Sequence, residues 1–89
     1  MAHVLAKFSV ESYAKWRPIF NANESVRAQA GCQSAQVFRD GNNPFEILIL
    51  FEWDELENAR KFTSSPELKA AMEESGIKGA PEFNFLHEV

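Results

Sequence analysis

The feature that most constrains the fold is the run FEILILFEW at residues 45–53, which carries apolar side chains on both faces of a strand. Alternate residues of a strand point to opposite faces of its sheet. One face carries Phe45, Ile47, Ile49, Phe51 and Trp53. The other carries Glu46, Leu48, Leu50 and Glu52. Burying a leucine is worth roughly 1.5–3 kcal/mol. We therefore predict helices against the first face and a second copy of the chain against the second, through Leu48 and Leu50.

Length and composition indicate one small globular domain. The chain has 89 residues, close to the lower limit for a self-sufficient core, and we assign residues 1–89 to a single domain. Hydrophobic residues make up 45% and charged residues 25%, as in ordinary soluble proteins. Aromatic residues reach 12%, and eight of them are Phe. Such a share can supply a thick core, an aromatic-lined cavity or an apolar subunit interface.

Charge and cysteine content exclude several classes of protein. The net charge is −4, and Lys and Arg are scattered apart from Arg60–Lys61, so the positive face that nucleic-acid binding requires is missing. Cys32 is the sole cysteine, which fits a reducing compartment. No apolar run reaches the roughly 18–20 residues of a membrane span, and the N-terminal pattern is not that of a secretory signal. We expect a cytoplasmic protein that binds neither nucleic acid nor membranes.

Four segments have the alternation and residue types of strands. They span residues 3–10, 33–40, 45–53 and 82–88. The turn-forming run Asp40-Gly41-Asn42-Asn43-Pro44 joins the middle two into a hairpin. With helical segments in the other gaps, the order is β-α-β-β-α-β, which is the ferredoxin-like arrangement. We therefore predict an α+β fold, with a four-stranded antiparallel sheet and both helices on one face.

The first helical segment is expected over residues 12–30, where apolar side chains recur at near-helical spacing. Ser12 is a plausible N-cap, and Gly31 suits the C-terminal end. Pro18 cannot donate to the carbonyl four residues earlier. The helix is therefore expected to kink there or to begin near Arg17.

The second helical segment carries two start signals and one stop signal. Asp54 is predicted to cap its beginning, with Glu57 at the reciprocal position of a capping box. Ser65-Pro66 restarts the helix with a cap followed by proline at the first helical position. Gly76 is predicted to end it.

The sequence also resembles a known family. The third strand ends in FEW and continues as D-x-x-x-x-x-x-x-F-x-x-S-P-x-L, and YAKWRPIFNANE and VFRDGNNPFEILILFEW occur upstream of this continuation. With the order of elements, these stretches resemble the dimeric α/β-barrel superfamily, and within it small proteins grouped with the antibiotic-biosynthesis monooxygenases. The resemblance spans nearly the whole chain. It implies a homodimer whose two sheets close into a barrel, with a cavity between each sheet and its own helices.

The resemblance implies a fold more strongly than a reaction, since the superfamily includes metal- and flavin-free oxygenases, haem-degrading enzymes, isomerases, decarboxylases and proteins without known activity. The haem-degrading relatives use an Asn on the first strand, a Trp near the third and a His ligand on the second helix. Here Trp53 matches loosely, the stretch Ala6-Lys7-Phe8 contains no Asn, and Met72 stands near the ligand position. This pattern argues against haem degradation.

Aromatic side chains are the candidate groups for binding a flat ligand. The alternative is that they are core residues, and the two roles are compatible because ligand pockets are mostly apolar. The candidates are Trp16, Phe51, Trp53, Phe83 and Phe85. Arg17, near the expected mouth of the cavity, is a candidate for binding a carboxylate, with a solvated helix start as the alternative.

His87 and Tyr13 are the candidate catalytic residues. An unperturbed histidine with a pKa of about 6.5 can exchange protons near neutral pH. His87 shares parity with Phe83 and Phe85, which indicates that it points to the helices. Tyr13 can donate its hydroxyl to a ligand. No spacing matches a metal motif, so no metal site is predicted, although His3 and His87 would share an environment if their strands met.

Other polar residues are expected to be structural. Glu46 and Glu52 flank the leucines of the third strand, where Arg39 and Lys7 are candidate ion-pair partners. Cys32 has no adjacent basic residue that would lower its pKa.

Two functional hypotheses follow. The first is a monooxygenase without a cofactor, which orients an enolizable aromatic or polyketide-like molecule in the sheet–helix cavity and stabilises its anion. The second is a non-catalytic homodimer that binds a small molecule or serves a structural role. Polar groups converging on one closed cavity would favour the first. A cavity filled by Trp16, Phe20, Phe62 and Met72 would favour the second.

Overall fold

The computed structural model describes residues 2–89, which form four strands and four helices. The strands are β1 (Ala2–Val10), β2 (Cys32–Arg39), β3 (Glu46–Trp53) and β4 (Ile77–His87). The helices are α1 (Tyr13–Ala22), α2 (Glu24–Ala30), α3 (Leu56–Thr63) and α4 (Pro66–Glu74). Neighbouring strands are antiparallel, in the order β2-β3-β1-β4. The predicted ferredoxin-like α+β fold is confirmed, with each helical segment divided in two.

The inner face of the sheet packs against the helices and forms the core. Alternate residues of β1 and β3 are buried, as the two-residue period of a strand requires. They are Ala2, Val4, Ala6, Phe8, Val10, Ile47, Ile49, Phe51 and Trp53. Trp16 of α1 and Ala59 of α3 complete this core from the helical layer. The orientation predicted for the strand residues from Ile47 to Trp53 is therefore confirmed.

The first helical segment breaks at Asn23 and not at Pro18. Helix α1 begins at Tyr13 and contains Pro18. The Asn23 side-chain amide donates to the Ile19 carbonyl at 2.8 Å, while the Asn23 backbone N–H donates to the Phe20 carbonyl at 3.3 Å. A side chain thus satisfies the carbonyl that the next helical turn would use. This exchange ends α1, and α2 begins at Glu24.

The other helix boundaries follow the sequence in part. Gly31 ends α2 with a φ of 118°, and Ser65 caps α4 by accepting from the Leu68 backbone N–H at 3.2 Å. The predicted Asp54 cap is wrong, because α3 begins after Glu55, whose own backbone N–H donates to the Asp54 carboxylate. Within residues 2–89, no helix combines the length and the apolar content needed to cross a bilayer.

Two strand boundaries differ from the prediction. Phe45 precedes β3 and is 54% exposed. Its backbone N–H donates to the Asn43 side-chain oxygen at 3.0 Å in the turn before the strand. Strand β4 begins at Ile77 and not at residue 82, since Ile77 and Lys78 pair with the end of β1. The register between the two strands shifts there, and Gly79 accommodates the shift with a φ of 70°.

The outer face of the sheet carries the leucines that the sequence leaves without cover. Leu5 lies opposite Leu50 at its centre, beside Leu48, and all three are half-buried. Phe38 of β2 is 49% exposed and Leu86 of β4 is 41% exposed on the same face. In the part of the chain that the structure describes, the buried side chains of the strands lie on the opposite face of the sheet.

Ion pairs flank these apolar residues. Lys7 Nζ lies 3.5 Å from Glu46 Oε1, as predicted, and His3 Nε2 lies 3.7 Å from Glu52 Oε2. The predicted partner Arg39 instead lies over an aromatic ring on the helical side. The reason is parity, since Arg39 faces Ile47 of the inner set.

Candidate functional site

A cavity lies between the inner face of the sheet and the helices. The space open to the centre of a water molecule is about 80 Å³. One water needs about 10–15 Å³ on this measure, so the cavity admits several waters or a small organic group. Its lining is mostly apolar and includes Val4, Ala6, Phe8, Trp16, Phe20, Ile49, Phe51, Trp53, Phe62, Met72 and Phe83. The four side chains expected to fill it on the structural hypothesis therefore line an open space.

Trp53 lines this cavity and carries an unpaired hydrogen-bond donor. It ends β3, is 2% exposed, and packs its ring 5.4 Å from that of Phe62. Its Nε1 is buried without a hydrogen-bond partner, and no other buried side-chain nitrogen or oxygen in residues 2–89 lacks one. A buried indole N–H usually finds an acceptor, because leaving one unpaired costs about 1–3 kcal/mol. Because this nitrogen is closed off from the open space, an acceptor oxygen on a ligand would reach it only after neighbouring side chains shift.

Five polar residues reach the cavity from the helices or their ends. They are Asn23, Arg27, Thr63, Glu67 and Ser75. The Thr63 and Ser75 hydroxyls each donate at 3.1 Å to a backbone carbonyl three residues earlier. The Asn23 amide nitrogen also donates to a carbonyl, which leaves its side-chain oxygen to accept a bond from a ligand.

Arg27 is the only buried charged side chain within residues 2–89. Its Nη1 donates to the Phe20 carbonyl at 2.8 Å, and its guanidinium carbon lies 3.8 Å from the centre of the Phe20 ring. Burial lowers the pKa of Arg27, and Arg17 lowers it further, whereas Cys32 and Glu24 oppose the shift. Arginine nevertheless stays protonated in proteins. A fixed positive charge therefore borders an otherwise apolar cavity.

The structure brings together four of the six predicted substrate-binding residues. Trp16, Phe51, Trp53 and Phe83 line the cavity. Phe85 packs at the margin of the core, and the Arg60 guanidinium carbon lies 5.6 Å from its ring centre. Arg17 on α1 does not line the cavity, and its Nη1 donates to the Tyr13 hydroxyl at 3.3 Å.

Neither predicted catalytic residue lines the cavity. Tyr13 begins α1, with the Arg39 guanidinium carbon 4.4 Å from its ring centre. His87 is exposed at the end of β4. His3 lies on the outer face, so the two histidines do not share an environment. No cluster of three or more potential metal ligands occurs among the residues that the structure describes.

Sequence reasoning missed the polar side of the cavity, although a signal for it was present. Trp16, Phe20, Asn23 and Arg27 follow one another at intervals of four, three and four residues. Such intervals place side chains on one helical face. An apolar stripe that continues into an amide and an arginine marks both as facing the interior, whereas a charged residue is ordinarily assigned to the surface.

Comparisons with known proteins agree with this architecture. The family model described as antibiotic biosynthesis monooxygenase matches residues 1–74. A candidate antibiotic biosynthesis monooxygenase from Bordetella bronchiseptica superposes with a TM-score of 0.83 at 15% identity, covering 99% of this chain and 96% of that one. SnoaB, a cofactor-independent oxygenase from Streptomyces nogalater, gives 0.78 at 12% identity, covering 99% and 92%. Rv0793 from Mycobacterium tuberculosis gives 0.72 at 15% identity, covering 99% and 94%.

No curated protein matches the chain. Structural likeness at such low identity establishes the fold alone, because one fold hosts many activities. The family model adds the sequence pattern over residues 1–74, which include Trp53 and most of the cavity lining. On these grounds, the chain belongs to the antibiotic biosynthesis monooxygenase family.

Proposed function

We propose that this protein is a monooxygenase acting on a small aromatic or polyketide-like molecule in the sheet–helix cavity. The observation that carries the proposal is the unpaired Trp53 Nε1–H on a residue of an aromatic-lined cavity. Trp16, Phe51 and Phe83 supply the surface for a flat ring, and the indole N–H supplies a donor for its oxygen. Family membership and the fold shared with SnoaB support the reaction class.

The proposed reaction needs a substrate with an acidic CH₂ group beside an electron-rich ring. Loss of one proton gives an enolate, which the Trp53 N–H stabilises by a hydrogen bond and Arg27 by its charge. The enolate then reacts with molecular oxygen. The CH₂ carbon loses both hydrogens and becomes C=O, and the second oxygen atom leaves as water. The substrate supplies all four electrons, so the equation balances without an outside reductant.

The proton acceptor is assigned from the cavity lining. Glu67, in the first turn of α4, is the only carboxylate that lines the cavity within residues 2–89. It is exposed, so a proton that it accepts can pass to solvent. A catalytic role for His87 or Tyr13 stays a prediction, as does a role in substrate binding for Arg17 and Phe85.

Oxygen uptake tests the proposal. The probe is 1,3-dihydroxynaphthalene, whose keto tautomer contains a reactive CH₂ group, together with larger three-ring analogues. Trp53→Phe keeps an aromatic ring against Phe62 but removes the donor, so turnover should fall by about 10²-fold or more. Trp16→Phe is the matched variant and should lower turnover by less. Uptake that matches buffer, or that Trp53→Phe leaves unchanged, would contradict the proposal. Ligand binding without uptake would favour the non-catalytic carrier.

We infer that the functional unit is a homodimer formed through the outer face of the sheet. Leu5, Leu48 and Leu50 form an apolar centre on this face, with the exposed Phe38 and Leu86 beside them. Ion pairs lie around this centre. An apolar centre with a polar rim is the usual anatomy of a protein interface. Two such faces would stack at the usual sheet separation of about 10 Å.

A further inference from the structure

A second cavity lies between α1, α2 and the start of β2, and its lining is mainly polar. The space open to the centre of a water molecule is about 200 Å³. The polar lining comprises Arg17, Asn21, Glu24, Arg27, Gln33 and Ser34. Phe20 and Arg27 also line the sheet–helix cavity. Neither the fold nor the proposed oxygenase reaction gives this second cavity a role.

Arg27 has no carboxylate partner at this cavity. It is 7% exposed, yet its hydrogen bond goes to a neutral acceptor, the Phe20 carbonyl. None of the ion pairs in residues 2–89 includes it. A buried charge ordinarily has a charged partner, because it has lost its hydration. The remaining guanidinium nitrogens are not among the buried unpaired atoms, so they keep some accessible surface, and Arg27 lines both cavities.

Arg17 places a second guanidinium at the same cavity. Its Nε donates to the Asn21 side-chain oxygen at 3.1 Å and its Nη1 donates to the Tyr13 hydroxyl at 3.3 Å, and both acceptors are neutral. The guanidinium carbons of Arg17 and Arg27 lie 5.7 and 3.8 Å from the centre of the Phe20 ring. Two like charges therefore border one ring, and Arg17 lowers the pKa of Arg27, so an anion that contacts both would relieve their repulsion.

The Glu24 carboxylate is the group of this chain that would compete with a bound anion for Arg17 and Arg27. It is the only acidic residue that lines the second cavity within residues 2–89, and it forms no ion pair with either arginine. Glu24 is exposed, so its carboxylate is already hydrated. The lining thus retains a surplus of positive charge in a chain whose net charge is −4.

We propose that the second cavity binds a small oxyanion, with Arg17 and Arg27 donating to its oxygens. Carboxylate and phosphate groups share this recognition, because a guanidinium presents paired N–H groups that match two oxygens. The amide nitrogens of Asn21 and Gln33 and the hydroxyl of Ser34 provide neutral donors in the same lining. The site does not depend on the proposed oxygenase activity and would stand without it.

An NMR titration distinguishes a site from general screening. The ¹⁵N-labelled full chain is titrated with sodium acetate and, separately, with sodium phosphate, at an ionic strength held constant with sodium chloride. The site predicts saturable shifts of the Nε–H signals of Arg17 and Arg27 with at least one anion, and small shifts for Arg39 and Arg60. The anion that saturates identifies the class. Linear shifts of all four signals, or none, would overturn the site.

Arg17→Gln and Arg60→Gln form a matched pair, since each removes one positive charge but only Arg17 lines the cavity. Arg17→Gln should weaken anion binding by about tenfold or more, because it removes charge-assisted hydrogen bonds. Arg60→Gln should change it by less than about twofold. Arg27→Gln also breaks buried contacts and destabilises the fold, so the comparison at Arg17 decides. Equal affinities for wild type and Arg17→Gln would overturn the site.

Discussion

Trp53 and Arg27 are buried polar side chains that lack the partners such groups usually have. The indole N–H is buried without an acceptor, and the guanidinium is buried without an anion. Natural sequences depart from such local rules mainly at functional sites. A bound molecule with an acceptor oxygen would satisfy the first group, and an oxyanion would satisfy the second. Trp53 therefore belongs to the proposed aromatic-binding site, and Arg27 belongs to the proposed oxyanion site.

Cys32 is expected to react slowly at neutral pH. Burial raises the pKa of its thiol, with Arg27 and a hydrogen bond with the Ser34 backbone opposing the shift. The thiolate is the reactive form, so a raised pKa lowers the rate. Alkylation by a water-soluble maleimide at neutral pH should be slower in the folded chain than in the chain unfolded by urea. A faster reaction in the folded chain would contradict the assignment.

The raised pKa of the Cys32 thiol predicts a loss of stability at alkaline pH. Because the folded state favours the protonated thiol, its contribution is fully present below the unfolded pKa of about 8.5. It is lost as pH rises through the higher folded pKa. Cys32→Ser removes this dependence. Urea unfolding should therefore show a smaller fall in the free energy of unfolding for Cys32→Ser than for wild type between about pH 8 and pH 10. Equal falls would count against the shift.

For single helices and strands, the sequence predicts the structure correctly where one local rule applies. Ser65 followed by Pro66 starts α4, and alternation assigns the inner residues of β3. It is insufficient where a side chain competes with the backbone. The Asn23 amide ends α1, and the Asp54 carboxylate accepts from the turn before α3 without capping that helix. Either residue type can cap, turn or break a helix, and only tertiary packing selects among these roles.

The junction between α2 and β2 depends on Gly31. Its φ is 118°, and a Cβ added there would meet the Asp54 carboxylate. Gly31→Ala should therefore lower the free energy of unfolding by more than about 1 kcal/mol. Gly41→Ala is the control, since a Cβ there meets nothing within 4 Å. Chemical denaturation measures both, and equal effects would contradict the strain assigned to Gly31.

The part of the candidate site that depends on the alternation of strand residues could be predicted from the sequence. Phe51, Trp53 and Phe83 follow from the alternation of strands, and Trp16 from the apolar stripe of a helix. Arg27 did not follow, because long charged side chains are ordinarily solvated and its burial depends on the packing of α2 against the sheet. The unpaired state of Trp53 Nε1 is likewise a property of the assembled core.

For the whole molecule, the outer sheet face predicts self-association. Wild type should sediment as a dimer in analytical ultracentrifugation. Leu50→Lys places a charge at the centre of the apolar face and should give a monomer, since burying an unpaired charge is strongly unfavourable. Gln29→Lys adds the same charge at an exposed position on α2 and should leave the dimer intact. A monomeric wild type, or a dimer unaffected by Leu50→Lys, would contradict the proposed interface.

The claim that the sheet–helix cavity binds an aromatic molecule through Trp53 is open to direct observation by NMR. The chain contains two tryptophans, so it gives two indole N–H signals, and Trp53→Phe assigns them. The wild-type protein is titrated with 1,3-dihydroxynaphthalene without oxygen, so that binding is observed without turnover. We predict a saturable shift of the Trp53 indole signal, larger than the shifts of backbone amides on the outer sheet face. A Trp53 signal that stays in place while the probe binds elsewhere, or does not bind, would contradict it.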